Sequence, residues 1–96
     1  MKFTAENEKL VLFFEGELNS YNSEDVEKEI EQILKANNFK SIILDLENLN
    51  YISSAGLRII VRLKQQCDDT SVRKPSKSVM DIFRMVGFEN LIKIEK

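Results

Sequence analysis

Ser41-Ile42-Ile43-Leu44-Asp45-Leu46 and, a few polar residues later, Ile52-Ser53-Ser54-Ala55-Gly56-Leu57-Arg58 together decide the fold. The first run has strand length and carries apolar residues on both faces. That pattern predicts a central strand, covered by helix on both sides or at an end of the sheet. Glu47 to Ile52 reads as a loop. A helix is then expected from Ser54 to about Gln66, with Ser53 as its N-cap, its hydroxyl accepting a backbone N–H of the first turn. Leu57, Ile60 and Val61 form the stripe expected to bury, widened by Ile59 and Leu63. Arg58, Arg62 and Gln65 or Gln66 form a polar stripe that starts at Ser54.

Working outward, the same alternation recurs. On the N-terminal side, Phe3 to Glu6 and Lys9 to Glu15 read as a hairpin across Asn7-Glu8, and Gly16 releases the second strand into Glu17-Leu18-Asn19-Ser20. A helix from about Ser23 to Asn37 is predicted by Val26, Ile30, Ile33 and Leu34, with Asn22 or Ser23 as cap and Glu24, Asp25 and Glu27 where the helix dipole favours negative charge. On the C-terminal side, Thr70 to Lys74 is a short strand carried by Val72. A third helix begins at Ser76, with Val79, Ile82, Phe83 and Val86 on one face and Gly87 as its left-handed stop. Met80, Phe83 and Met85 read as core, Tyr51 and Ile52 as a loop-packing pair, and Leu91 to Ile94 as a last strand. Strands alternating with helices define an α/β domain over residues 1–96: a mixed, mainly parallel sheet of four to five strands with about three packed helices.

Composition excludes several classes of function. The 96 residues hold 14 Lys and Arg against 16 Asp and Glu, for a net charge of −2, which disfavours nucleic acid as a direct partner. There is no histidine, and there is a single cysteine, Cys67. The usual general base, the commonest metal ligand, an internal disulfide and a zinc cluster are thereby removed together. No cofactor or metal is expected. Cys67 reads as a reduced, semi-buried residue at a helix end. No apolar run approaches the roughly 20 residues of a membrane span, and no signal peptide is evident, so the expected compartment is the cytoplasm. A chain of this mass should fold to a surface of roughly 5,700 Å².

The candidate functional residues lie where the second helix begins. Taken alone, paired serines ahead of a helix are caps, arginines on a helix face are solvated, Asn19 and Ser20 are loop residues, and the acidic face of the first helix is solvated. Gly56 costs a helix about 1 kcal/mol relative to alanine, which suggests a close approach at that position. An enzyme is disfavoured: Ser54 has no histidine, Lys64 lies on another stripe, and Ile52 to Gly56 has too little glycine for a phosphate-cradling loop.

Four pieces of the chain give a more specific indication. They are Phe13-Phe14-Glu15-Gly16-Glu17-Leu18, Ile42-Ile43-Leu44-Asp45-Leu46, Ile52-Ser53-Ser54-Ala55-Gly56-Leu57, and Asp81-Ile82-Phe83 through Val86-Gly87-Phe88. Together they resemble the STAS domain family, and within it the small stand-alone anti-sigma-factor antagonists of bacteria. The resemblance covers essentially the whole chain. It implies a protein-binding switch. The unmodified form binds an anti-sigma factor that is also a serine kinase and frees a sigma factor; phosphorylation of a serine at the start of this helix ends the complex, and a metal-dependent serine phosphatase resets it. The family's phosphorylated serine sits two residues before the glycine, which is Ser54 here. The implied partner-binding residues are Asn19, Ser20, Ser53, Ser54, Ala55, Gly56, Arg58 and Arg62, and Arg58 is placed to pair with a phosphate. Ser53 and Asn19 stand where many members have Asp, and the segment from Cys67 to Lys74 is shorter than usual. The alternative within the family is a STAS scaffold or regulatory subunit of another assembly, such as the cytosolic part of a lipid transporter or a stressosome-like complex, working without phosphorylation.

Overall fold

A computed structural model describes residues 1–96. Asn7 and Glu8 both adopt left-handed backbone, φ 52° and 63°, the conformation a two-residue hairpin turn demands. They join β1 (Lys2–Glu6) to β2 (Lys9–Leu18) as an antiparallel pair. Every later strand is reached through a helix. α1 (Ser23–Ala36) leads to β3 (Ser41–Ile52), α2 (Ser54–Gln66) to β4 (Thr70–Arg73), and α3 (Lys77–Met85) with a short 3-10 turn (Phe88–Asn90) to β5 (Lys93–Glu95). The strands lie in chain order, β1-β2-β3-β4-β5, and all pairs after the first are parallel. The expected mixed, mainly parallel sheet with three helices is the fold.

One face of the sheet and all three helices build a single cluster of 20 buried residues, including Leu10, Leu12, Ile42, Leu44 and Val72 from the strands. The opposite face is less covered, and Phe13 and Ile43 on it are only half-buried. Along this face Phe13, Asp45 and Arg73 are register neighbours on β2, β3 and β4. The Asp45 side chain is 9% exposed and accepts a 2.8 Å bond from Arg73 Nε. It also accepts from the Glu47 backbone N–H at 3.1 Å, and the Arg73 guanidinium lies 5.7 Å over the Phe13 ring. This row closes the face that no helix covers. The solvent-accessible surface is 5941 Å², close to the value expected from mass.

Several sequence expectations need correction. Glu47 to Ile52 is strand, not loop. β2 and β3 pair from Lys9↔Ser41 to Leu18↔Ile52, with register shifts between Phe13 and Glu15 and between Gly16 and Glu17. Each shift sets one extra residue on β3, so its buried residues Ile42, Leu44, Leu46, Leu49 and Ile52 depart from strict alternation. Gly16 does not release β2. It sits inside the strand at φ 74° beside the second bulge, a backbone state that glycine adopts without a Cβ penalty. Tyr51 and Ile52 are not a packing pair, because Ile52 is buried while Tyr51 points out. On α3 the buried residues are Val79, Met80 and Phe83; Met85 is exposed because, two residues after Phe83, it lies on the opposite face of the helix, and Val86 is exposed at the C-cap. Gly87 does take the left-handed backbone, φ 70°, and Phe88 stacks on Phe83 with centroids 5.0 Å apart. The last strand begins at Lys93 because the 3-10 turn precedes it. Cys67 is half-buried at the C-cap of α2.

Replacing Asp45 by Ala leaves Arg73 half-buried without its carboxylate and the Glu47 N–H without its acceptor. A loss of about 1–3 kcal/mol is expected, read as a lower urea midpoint with an unchanged slope.

Candidate functional site

The ends of β2 and β3 and the beginnings of α1 and α2 share one edge of the sheet. Leu18 and Ile52 are register partners at the ends of their strands. The Ser53 N–H donates to the Leu18 carbonyl at 2.8 Å, so the start of α2 is tied to the end of β2. Gly56 fixes the approach. A Cβ built there would lie 2.7 Å from Ile52 Cγ1 and 2.8 Å from Leu18 Cγ, closer than side-chain carbons tolerate. The close approach expected at Gly56 is therefore made by side chains rather than by another backbone. The buried stripe of α2 is correspondingly Gly56, Ile59, Ile60 and Leu63. Leu57 and Val61, expected to bury, are half-exposed, because the helix is rotated to press its glycine on the sheet.

The two serines divide their roles. Ser53 is the N-cap, in extended backbone, and its Oγ accepts the Gly56 N–H at 3.4 Å. Ser54 follows as the first helical residue and is exposed. Ala55 beside it is half-buried.

The loop after β2 is clasped by two asparagines. Asn19 Oδ1 accepts the N–H groups of Tyr21 and Asn22 at 2.9 and 3.1 Å, while Asn22 Oδ1 accepts the Asn19 N–H at 2.9 Å. Asn22 is thus the N-cap of α1 by position but makes no side-chain cap; its amide instead closes the loop, donating to the Glu17 carbonyl at 2.7 Å. Ser20 lies exposed within this clasp, and Tyr21 beside it is 94% exposed.

Arg62 forms an ion pair with Glu27 of α1 at 2.8 Å, and Gln66 donates to Glu31 at 3.3 Å. The acidic face of α1 is therefore partly engaged rather than wholly solvated. Arg58 is exposed and makes no ion pair. The sequence readings missed Glu27 and Glu31 as partners of α2, because these contacts join residues 35 apart in sequence. Tyr21 and Tyr51, both exposed near this edge, gave no signal beyond their aromatic character.

The arrangement presents a hydroxyl on a stiff helix start, flanked by a braced loop. No three His, Cys, Asp or Glu side chains gather where they could hold a metal ion, and no helix is long and apolar enough to cross a membrane. The fold and this edge together are those of a STAS domain. The STAS domain profile matches residues 2–96, and the chain belongs to that family. Within the family it is similar to BtrV of Bordetella bronchiseptica, named as an anti-sigma factor antagonist, with 31% identity over 90 residues, covering 88% of this chain and 76% of BtrV. Among solved structures, one from Thermotoga maritima, assigned as an anti-sigma factor antagonist, superposes with a TM-score of 0.88 at 18% identity over 99% of this chain and 85% of its own. The anti-sigma factor antagonist SpoIIAA superposes in its unphosphorylated form with a TM-score of 0.75 at 20% identity, covering 99% and 89%. It has also been solved in a phosphorylated form, as a Bacillus cell fate determinant. At these identities the structural likenesses establish the shared fold.

Gly56→Ala gains helix propensity of about 1 kcal/mol and loses more by overpacking against Leu18 and Ile52. A net loss of about 1–2 kcal/mol is expected. It is measured by chemical denaturation, with amide exchange accelerated first at Leu18, Ile52 and Ser53.

Proposed function

We propose that this chain is an anti-sigma-factor antagonist that acts by docking rather than by catalysis. In its unmodified form the edge carrying Asn19, Ser20 and residues 53 to 58 binds an anti-sigma factor with serine kinase activity and so frees a sigma factor. The kinase transfers the γ-phosphoryl group of its nucleoside triphosphate to Ser54 Oγ, releasing nucleoside diphosphate and the hydroxyl proton. A serine phosphatase restores the hydroxyl by hydrolysis. The chain itself supplies only a presented serine and a surface, and it works in the cytoplasm.

The observation that carries this reading is the contrast between the two serines. Ser53 spends its hydroxyl on the helix cap, whereas Ser54 is exposed on the first turn of α2, at the position that matches the family's modified serine. A phosphate there adds about −1.5 to −2 charges, and the helix start tolerates them because its dipole and free N–H groups favour an anion. The fold is thus retained while the docking surface gains negative charge.

The experiment is a binding titration with the cognate anti-sigma factor. Ser54→Asp is expected to weaken binding about a hundredfold, some 2.8 kcal/mol, while Ser54→Ala binds and resists phosphorylation. Wild-type affinity in Ser54→Asp, or phosphate found on Ser53 alone, overturns the assignment.

A further inference from the structure

Helices α1 and α2 meet along a seam that repeats every four residues on both. Gln66 donates to Glu31. One turn toward the helix starts, Arg62 Nη1 donates to both carboxylate oxygens of Glu27 at 2.8 Å. The next step in the same register sets Arg58 opposite Ser23, and there the ladder changes character: α1 offers a hydroxyl where the rung below offers a carboxylate. Ser23 and Arg58 line a common hollow of about 120 Å³, with Glu24, Glu27, Ala55 and Arg62 around it. Of the two acids there, Glu27 is held by Arg62 and Glu24 faces Lys28 of its own helix at 4.0 Å. Arg58 is left as the cation of the seam without an ion pair.

One further step along α2 is Ser54. Residues four apart on a helix are surface neighbours, and helical side chains lean toward the N-terminus. A guanidinium on residue 58 therefore projects toward the space over the Ser54 hydroxyl. Arg62 is two turns from Ser54 and is held by both oxygens of Glu27.

We propose that Arg58 is the intramolecular counter-charge for a phosphate on Ser54. It is freed for that role because the α1–α2 ion-pair ladder ends at Ser23, and Arg62 takes no part. The proposal rests on the reading of Ser54 as the modified residue. The phosphate is then held along α2 by a charge-assisted pair rather than swinging toward Glu24 and Glu27, whose charges repel it. Arg58, available to a partner's carboxylate in the unmodified protein, is withdrawn at the same moment. Phosphorylation would thus change two features of the docking face at once: it adds an anion and removes a cation.

The test uses the full chain with phosphoserine installed at position 54 by an expanded genetic code, so that no kinase is needed. Phosphorus NMR follows the second ionisation of the phosphate, near pH ~6 for an unperturbed phosphoserine. Glu24 and Glu27 push that ionisation up, whereas the helix start and Arg58 push it down. Arg58→Ala is therefore expected to raise it by at least about half a unit, roughly threefold in the acid constant. Arg58→Lys should restore most of the difference, and Arg62→Ala should shift it less than Arg58→Ala does. Equal titration in wild type and Arg58→Ala, or an Arg62→Ala shift as large as that of Arg58→Ala, overturns the proposal. Should Arg58→Ala fail to fold, Arg58→Gln, which keeps the stem of the side chain, carries the same comparison. A cognate kinase that leaves Ser54 unmodified would contradict the proposed function, yet the titration would still report on Arg58.

Discussion

At Gly56 the second helix comes down on the ends of two parallel strands, leaving no room for even a methyl group between its backbone and the side chains of Leu18 and Ile52. Everything at this edge of the molecule follows from that contact. The Ser53 N–H reaches the Leu18 carbonyl, the Ser53 hydroxyl caps the helix, and Ser54 is held outward on the first turn. A looser approach would let the helix start shift relative to the loop after β2, and the residues of that edge would no longer form one surface. The same glycine rotates α2 so that Ile59, Ile60 and Leu63 bury and Arg58 and Arg62 line the seam with α1.

The carboxyl end of β3 extends well beyond β4, which pairs only as far as Asp45↔Arg73. Its overhang is braced from two sides. β2 follows it to Ile52 through two bulges, and the first residues of α3 meet it on the other side. There the hydroxyls of Ser76 and Ser78 donate to the carbonyls of Leu49 and Asn50 at 2.7 and 2.8 Å. A strand end whose carbonyls have no donor from β4 is thereby tied down as a platform for the helix that carries the site. The proposed function asks no chemistry of this platform: the partner brings it to the serine. Where the family often has Asp, Asn19 and Ser53 still provide the oxygen acceptors that the loop and the helix cap require.

Much of this was legible in the residues. The helices announced themselves by period, Ser53 by its position before an apolar stripe, and Gly87 by its place after one. Ser54 and its neighbours are proposed from the family motif, and the structure sets Asn19, Ser20 and Ser53 to Gly56 along one edge. What the pattern hid has physical causes. β3 reads as six residues followed by a loop because its two bulges move Leu49 and Ile52 out of strict alternation, and the polar Glu47, Asn48 and Asn50 complete the disguise. Val86 extends the apolar stripe of α3 on paper but falls at its C-cap, and Met85 is helical but turned to the outer face. The pairing of Arg62 with Glu27 joins residues 35 apart in sequence, and no local pattern reports a contact that depends on how two helices are laid side by side.

The most direct test of the proposed docking edge is a map of the surface covered by the proposed anti-sigma-factor partner, obtained from backbone amide shifts of the labelled chain on titration with that unlabelled protein. The perturbed amides are expected at Asn19 to Asn22 and along the exposed face of α2 from Ser54 to Arg62, with β1 and β5 unaffected. Perturbation centred on the β1 edge, or on the Met85–Leu91 end of the molecule, with the start of α2 silent, would contradict it.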